Sequence, residues 1–250
     1  LLLSGQQSAV WGVDPHSLHV SPAQGQRDLT AYTATFNNRD EWQQRADRIR
    51  QGILKGAQLD PLPVKSPLKA IIRPARQHDG YSVQNVAFES VPGFFVTGNL
   101  YRPLGKEGKH PAILCPHGHF GGENGGGRFR PDHQIRCATL ARLGAVVFAY
   151  DMVGWGESNQ MHHQQGAALT MQTLNSIRAI DFLCSLSDVD SSRIGVTGAS
   201  GGGTQTFLLA ALDPRIAASA PVVMVAANYY GGCRCESGLP IHKGETHNTN

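Results

Sequence analysis

Four short, unbroken apolar runs set what this chain can fold into. They span residues 111–115 (PAILC), 144–150 (GAVVFAY), 193–197 (RIGVT) and 217–225 (AASAPVVMV). Residues 133–143, 167–186 and 203–212 lie between them and carry apolar side chains at helical spacing. A strand covered on both faces has no polar side to alternate with, so it reads as a continuous apolar run. Such strands alternating with helices predict a mostly parallel α/β sheet with right-handed crossovers and helices on both faces. Upstream, residues 81–90 and 94–101 alternate in polarity and are joined by Val91-Pro92-Gly93, which predicts an antiparallel β-hairpin leading into the sheet.

The N-terminal part reads differently. Residues 1–35 are polar with scattered Pro and Gly and are expected to be irregular. Residues 38–59 predict a helix: Asn38 can cap it, and Trp42, Ala46, Ile49 and Ile53 fall on one stripe. Pro61, Pro63 and Pro67 break the chain after it. The expected organisation is therefore a lead-in over residues 1–79, packed on an α/β domain over residues 80–250. The chain has no internal repeat and no low-complexity linker.

Composition narrows the function classes. Twenty-two Lys and Arg against 19 Asp and Glu leave a net charge of +3, too small and too evenly spread for a nucleic-acid partner. With 40% hydrophobic and 16% charged residues the chain is not of the disordered class. No run approaches the 18 or more apolar residues of a membrane span. Leu1-Leu2-Leu3-Ser4-Gly5 reads as the tail of a secretory signal and predicts a secreted or periplasmic protein; the alternative is a clipped core segment in a cytoplasmic one. The five cysteines do not make a disulfide framework. Cys115 and Cys184 sit in apolar runs and are expected to be buried, whereas Cys233 and Cys235 stand in a polar loop with their redox state open.

Glycine, at 29 of 250 residues, clusters where the predicted strands end. The segments are Pro116-His117-Gly118-His119 with the glycines that follow, Asp151 to Ser158 with Gly154 and Gly156, and Gly198-Ala199-Ser200-Gly201-Gly202-Gly203. In open α/β sheets this strand edge carries the ligand site. Gly198-x-Ser200-x-Gly202 matches G-x-S-x-G, in which a serine stands at a sharp strand-to-helix turn and side chains two positions either way would collide. The pattern alone is weak, but a predicted strand ends just before it and an apolar helix follows. Ser200 is thus the candidate nucleophile, with Gly198 and Gly202 as elbow glycines. The main-chain N–H groups of Gly201 and His119 are the candidate oxyanion donors, with no role asked of the His119 ring.

Other readings stay beside this one. His117-x-His119 also fits a metal pair, but His133 and His162-His163 lack the strand context that further ligands need, so no metal is expected. Neither G-x-G-x-x-G nor a P-loop occurs, so no nucleotide cofactor is expected. Asp151 is read as organising its own turn, and Trp155 as either lining the cleft or packing beneath it.

The succession of hairpin, strand with PHGH, strand with DMVGWGES, helix, strand with VTGASGGG, helix and strand resembles the α/β-hydrolase superfamily over residues 80–228. Within it the chain resembles the acetyl xylan esterase-like and dipeptidyl-peptidase-like bacterial serine hydrolases. That resemblance rests on the helical lead-in, the PHGH turn and the ANYYGGCRCE stretch at 227–236. It implies a triad in the order Ser, acid, His. The acid and histidine are expected beyond Asn250, after two strands this sequence does not contain, because Asp213 reads as a helix end and Glu236, His242, Glu245 and His247 as loop residues. The 250 residues alone are then expected to be nearly inactive, since a serine without its base is a weak nucleophile. The implied activity is a carboxylic-ester hydrolase acting on a small-molecule or acylated carbohydrate substrate. The alternatives are a serine peptidase of the prolyl-oligopeptidase type and a non-catalytic binding module. Oligomeric state has no sequence signal.

Overall fold

The structure, a computed structural model, describes residues 21–120 and 126–223. Leu1 to Leu3, Cys233, Cys235, the 227–236 stretch, Glu236, His242, Glu245 and His247 lie outside the described residues. The chain separates into two compact units, Leu1–Arg48 and Ile49–Asn250.

The first unit corrects the expectation of an irregular start. Helix α1 covers Pro22–Thr33. Ser21 caps it, its hydroxyl accepting from the Gln24 N–H at 3.2 Å, and Pro22 occupies the first turn, where its missing N–H costs nothing. None of its residues is buried, so no apolar stripe marks it in the sequence. Helix α2, Arg39–Gly56, opens on Asn38, whose side-chain oxygen accepts from the Glu41 N–H at 2.9 Å. Asp40 and Glu41 in its first turn face the positive end of the helix dipole.

In the second unit the strands are β1 (Ile71–Ile72), β2 (Arg76–His78), β3 (Tyr81–Val91), β4 (Phe94–Pro103), β5 (His110–Leu114), β6 (Val146–Tyr150), β7 (Val189–Ala199) and β8 (Ile216–Val222). They form one sheet in the order β1-β3-β4-β6-β5-β7-β8, with β2 also on β3. The stretch β6-β5-β7-β8 is parallel. The antiparallel part extends beyond the expected hairpin: β1 and β2 both pair with β3, and β4 runs against β6 with Tyr101 opposite Val147.

Helices α3 (Pro131–Leu143), α4 (Ala168–Ser185) and α5 (Gly201–Leu212) cover the sheet. The alternation of side chains along a strand sorts the core into two layers. Val146, Phe148 and Tyr150 of β6 pack with Phe88, Leu114 and the α4 residues Ile180, Phe182 and Leu183. Val147 and Ala149 point the other way, onto Cys137 and Ala141 of α3. All five β6 residues are buried, which is why that strand reads as unbroken apolar sequence. Of the lead-in, Ile53 packs with Leu208 and Leu212 of α5, and Ala57 and Leu59 pack with Leu174 of α4. Strand β8 is the edge of the described sheet, and none of its seven residues is fully buried. Cys115 and Cys137 are buried free thiols, whereas Cys184 is half-buried rather than fully covered as expected.

Candidate active site

Strand β7 ends at Ala199 and α5 begins at Gly201, two residues earlier than expected. Ser200 is the whole turn, at φ 57° and ψ −122°. A non-glycine residue held there stores about 1–3 kcal/mol of strain. The turn is fixed from both sides: the Ser200 N–H donates to the Val222 carbonyl at 3.0 Å, and its own carbonyl accepts from the Thr204 N–H at 3.0 Å. The N–H groups of Gly201, Gly202 and Gly203 precede that first helical bond and lie at the positive end of α5.

The elbow glycines are required by a neighbour the motif does not show. A Cβ on Gly198 would lie 2.5 Å from the Pro116 carbonyl oxygen, and one on Gly202 would lie 2.3 Å from the same atom. Gly118 is pressed against the elbow in turn, since a Cβ there would stand 2.9 Å from Ser200 Cβ and 2.6 Å from the Ala199 carbonyl oxygen. The PHGH turn after β5 and the serine turn after β7 therefore interlock. That brings Ser200, Gly201 and the 116–119 turn to one strand edge.

The turn is braced through imidazoles. His117 is buried, and burial pushes its pKa down to about 4. Its Nε2 accepts from the Met152 N–H at 3.0 Å, so Nδ1 carries the proton and donates to the Gly118 carbonyl at 3.0 Å. His119 is half-buried, and its ring is engaged: its Nε2 stands 2.5 Å from His163 Nε2. His163 Nδ1 donates to the Val153 carbonyl at 2.5 Å, so its Nε2 accepts and His119 donates. Trp155 is half-buried and sits with its ring centroid 5.7 Å from His117, 5.6 Å from His119 and 5.9 Å from His163. Among the described residues no three His, Cys, Asp or Glu side chains are grouped to hold a metal ion, so the His117-x-His119 pair finds no third ligand there.

A second brace was invisible in the sequence. Arg128, 2% exposed, donates from Nε to Asp151 Oδ1 at 2.8 Å, from Nη1 to Asn99 Oδ1 at 2.5 Å and from Nη2 to Glu157 Oε2 at 2.5 Å. Asp151 also accepts from the Thr97 hydroxyl at 2.8 Å and the Glu157 N–H at 3.1 Å. It thus ties its own turn to β4 and to the segment after the PHGH turn. Four residues from three segments meet here, and no spacing in the chain announces them. Asp213 closes α5 and is paired with Arg215 at 2.6 Å.

The strand order, the helices on both faces and the serine turn between β7 and α5 are those of an α/β hydrolase. Residues 65–232 match the acetyl xylan esterase family AXE1, and the chain belongs to that family. It is 32% identical over 143 residues to YtaP of Bacillus subtilis (strain 168), across 51% of this chain and 46% of that protein. It is 29% identical over 137 residues to acetyl esterase Axe7A of Xylanibacter ruminicola, across 49% of this chain and 31% of that protein. Among solved structures, methylesterase BT1017 matches with a TM-score of 0.78 at 42% identity, over 90% of this chain and 51% of that one. The chain thus spans about half of the length of these relatives, or less.

Proposed function

We propose that Ser200 is the nucleophile of a carboxylic-ester hydrolase that works through an acyl-serine intermediate on acylated carbohydrate, with acetyl as the acyl group. The observation that carries this reading is the strained serine turn at φ 57° locked against the PHGH turn. Strain of that kind is retained where a side chain must be aimed. In the proposed reaction Ser200 Oγ attacks the ester carbonyl and passes its proton to a general base. The N–H groups of Gly201 and His119 hold the oxyanion. The alcohol leaves with the proton, and water then releases the acid from Ser200. His117 is not that base, because both ring nitrogens are committed to the backbone. His133 is not either: burial pushes its pKa down to about 3, and its Nδ1 lies 2.8 Å from the Arg136 guanidinium.

A second reading exchanges the two sides of the ester. The 42% identity to a methylesterase favours a substrate whose alcohol is methanol and whose acyl group is the larger part. A fluorophosphonate probe, with the labelled peptide mapped by mass spectrometry, tests the nucleophile. Label on Ser200 and none in Ser200→Ala supports the proposal, and label absent or elsewhere overturns it. Release of acetate from acetylated xylo-oligosaccharide separates the first ester reading from release of methanol from a methyl uronate, which the second requires. Cleavage of a proline anilide in preference to both would favour a peptidase.

A further inference from the structure

A cavity of about 620 Å³ lies on the α3 side of the sheet, and neither Ser200, Gly201 nor His119 lines it. Its size suits a small organic ligand. It runs beside α3 from Pro131 to Arg142, about 16 Å at 1.5 Å per residue. Glu157 of the 151–158 turn lines it as well, as do the exposed side chains of His78 and Arg142.

Two guanidinium groups in its wall have no carboxylate partner among the described residues. Arg142 is held at one nitrogen only: its Nε donates to the Asp79 carbonyl at 2.9 Å, and its guanidinium carbon lies 4.9 Å from the centre of the Tyr81 ring. Tyr81 is fixed in turn by stacking with His78 at 4.9 Å. Arg76 spends one Nη2 hydrogen on Asn85 Oδ1 at 2.9 Å. Each arginine is thus oriented by one bond, and its remaining N–H groups are unspent among the described residues. A planar guanidinium fixed in this way is suited to a carboxylate, which it can grip with two parallel bonds.

The rest of the wall is suited to hydroxyl groups on an apolar frame. The Asn85 oxygen already accepts twice, from Arg76 and from Asn99 Nδ2, which leaves its own N–H groups to donate. Gln134 donates to the Phe129 carbonyl at 3.0 Å, which leaves its side-chain oxygen to accept. Phe129, 42% exposed, and Ile135, 65% exposed, form an apolar lip. We propose that this cavity is a binding site for a sugar acid, separate from the serine turn: a guanidinium of its wall, Arg142 or Arg76, takes the carboxylate, Asn85 and Gln134 take ring hydroxyls, and the lip covers the C–H face. The proposal stands independently of the role given to Ser200.

Titration calorimetry of the purified protein with glucuronic acid tests it, with glucose, acetate and inorganic phosphate as controls. Glucuronic acid is expected to bind saturably, at least tenfold tighter than glucose or acetate. The pair Arg76→Gln and Arg142→Gln is expected to weaken it at least tenfold with an unchanged melting temperature, and Ser200→Ala to leave it unchanged. In the unsubstituted protein, glucuronic acid is expected to shift the Ile135 methyl resonance, which keeps the test open if the double variant fails to fold. No saturable binding, binding that glucose, acetate or phosphate matches, or an unmoved Ile135 methyl overturns the proposal.

Discussion

The Met152 N–H donates a 3.0 Å hydrogen bond to His117 Nε2, joining the turn after β5 to the turn after β6. The bond exists only while that nitrogen is bare. A second proton on the ring would set one donor against another inside a fully covered site. This is the structural side of the depressed pKa of His117, about 4 against an ordinary 6.5.

A pH dependence of stability follows. As pH falls through 6.5 the unfolded chain takes up a proton at His117, while the folded protein refuses it until about pH 4. His133, at about 3, behaves the same way. The stabilisation is complete above pH 6.5 and is lost as pH falls from there to about 4 for His117 and about 3 for His133, at about 1.4 kcal/mol per pH unit for each group. Thermal melts from pH 7.5 to 4.5 are expected to fall along this window. His117→Gln keeps an acceptor and does not titrate, so its curve should be flatter. Parallel curves for the two proteins would rule His117 out as a source of the slope.

Ser200 predicts an inverse relation between stability and reactivity. Glycine tolerates positive φ, so Ser200→Gly is expected to stabilise the fold by about 1 kcal/mol while abolishing probe labelling. Ser200→Ala keeps the strain and should lose labelling with little change in stability. Urea denaturation midpoints of the two variants check this. A Gly variant no more stable than the Ala variant would show that the turn is relaxed.

Arg128 should be among the costliest single substitutions in the second unit. It and Asp151 are 2% and 1% exposed, so removing the cation leaves a buried carboxylate uncompensated. Arg128→Met is expected to cost about 3–5 kcal/mol. Adding Asp151→Asn removes the orphaned charge and should restore part of that loss in a double-mutant cycle. A double variant no more stable than Arg128→Met would mean that the Asn99 and Glu157 bonds carry the effect.

What the sequence disclosed tracks what burial imposes on it. The β6 run is apolar because both its faces are covered, and the serine turn is legible because Gly198 and Gly202 meet one carbonyl oxygen. Helix α1 escaped because it buries nothing, leaving only Ser21-Pro22 as a signal. Strands β1 and β2 are two and three exposed residues, too short to show a period. The Arg128 cluster joins Asn99 and Arg128 to the 151–157 turn, three segments that become neighbours only through the fold.

The strand order also shapes how the chain assembles as it is made. Strand β4 does not pair with β5, the next strand synthesised, but with β6, which begins about 40 residues later. At about 5–20 residues per second, a ribosome takes roughly 2–8 s to deliver that partner. During this interval Leu100 and Tyr101 sit on a β edge with nothing beside it. Strand β5 must wait as well, then enter between β6 and β7. The α/β core therefore closes late and out of sequence, only once β6 and then β7 have been delivered.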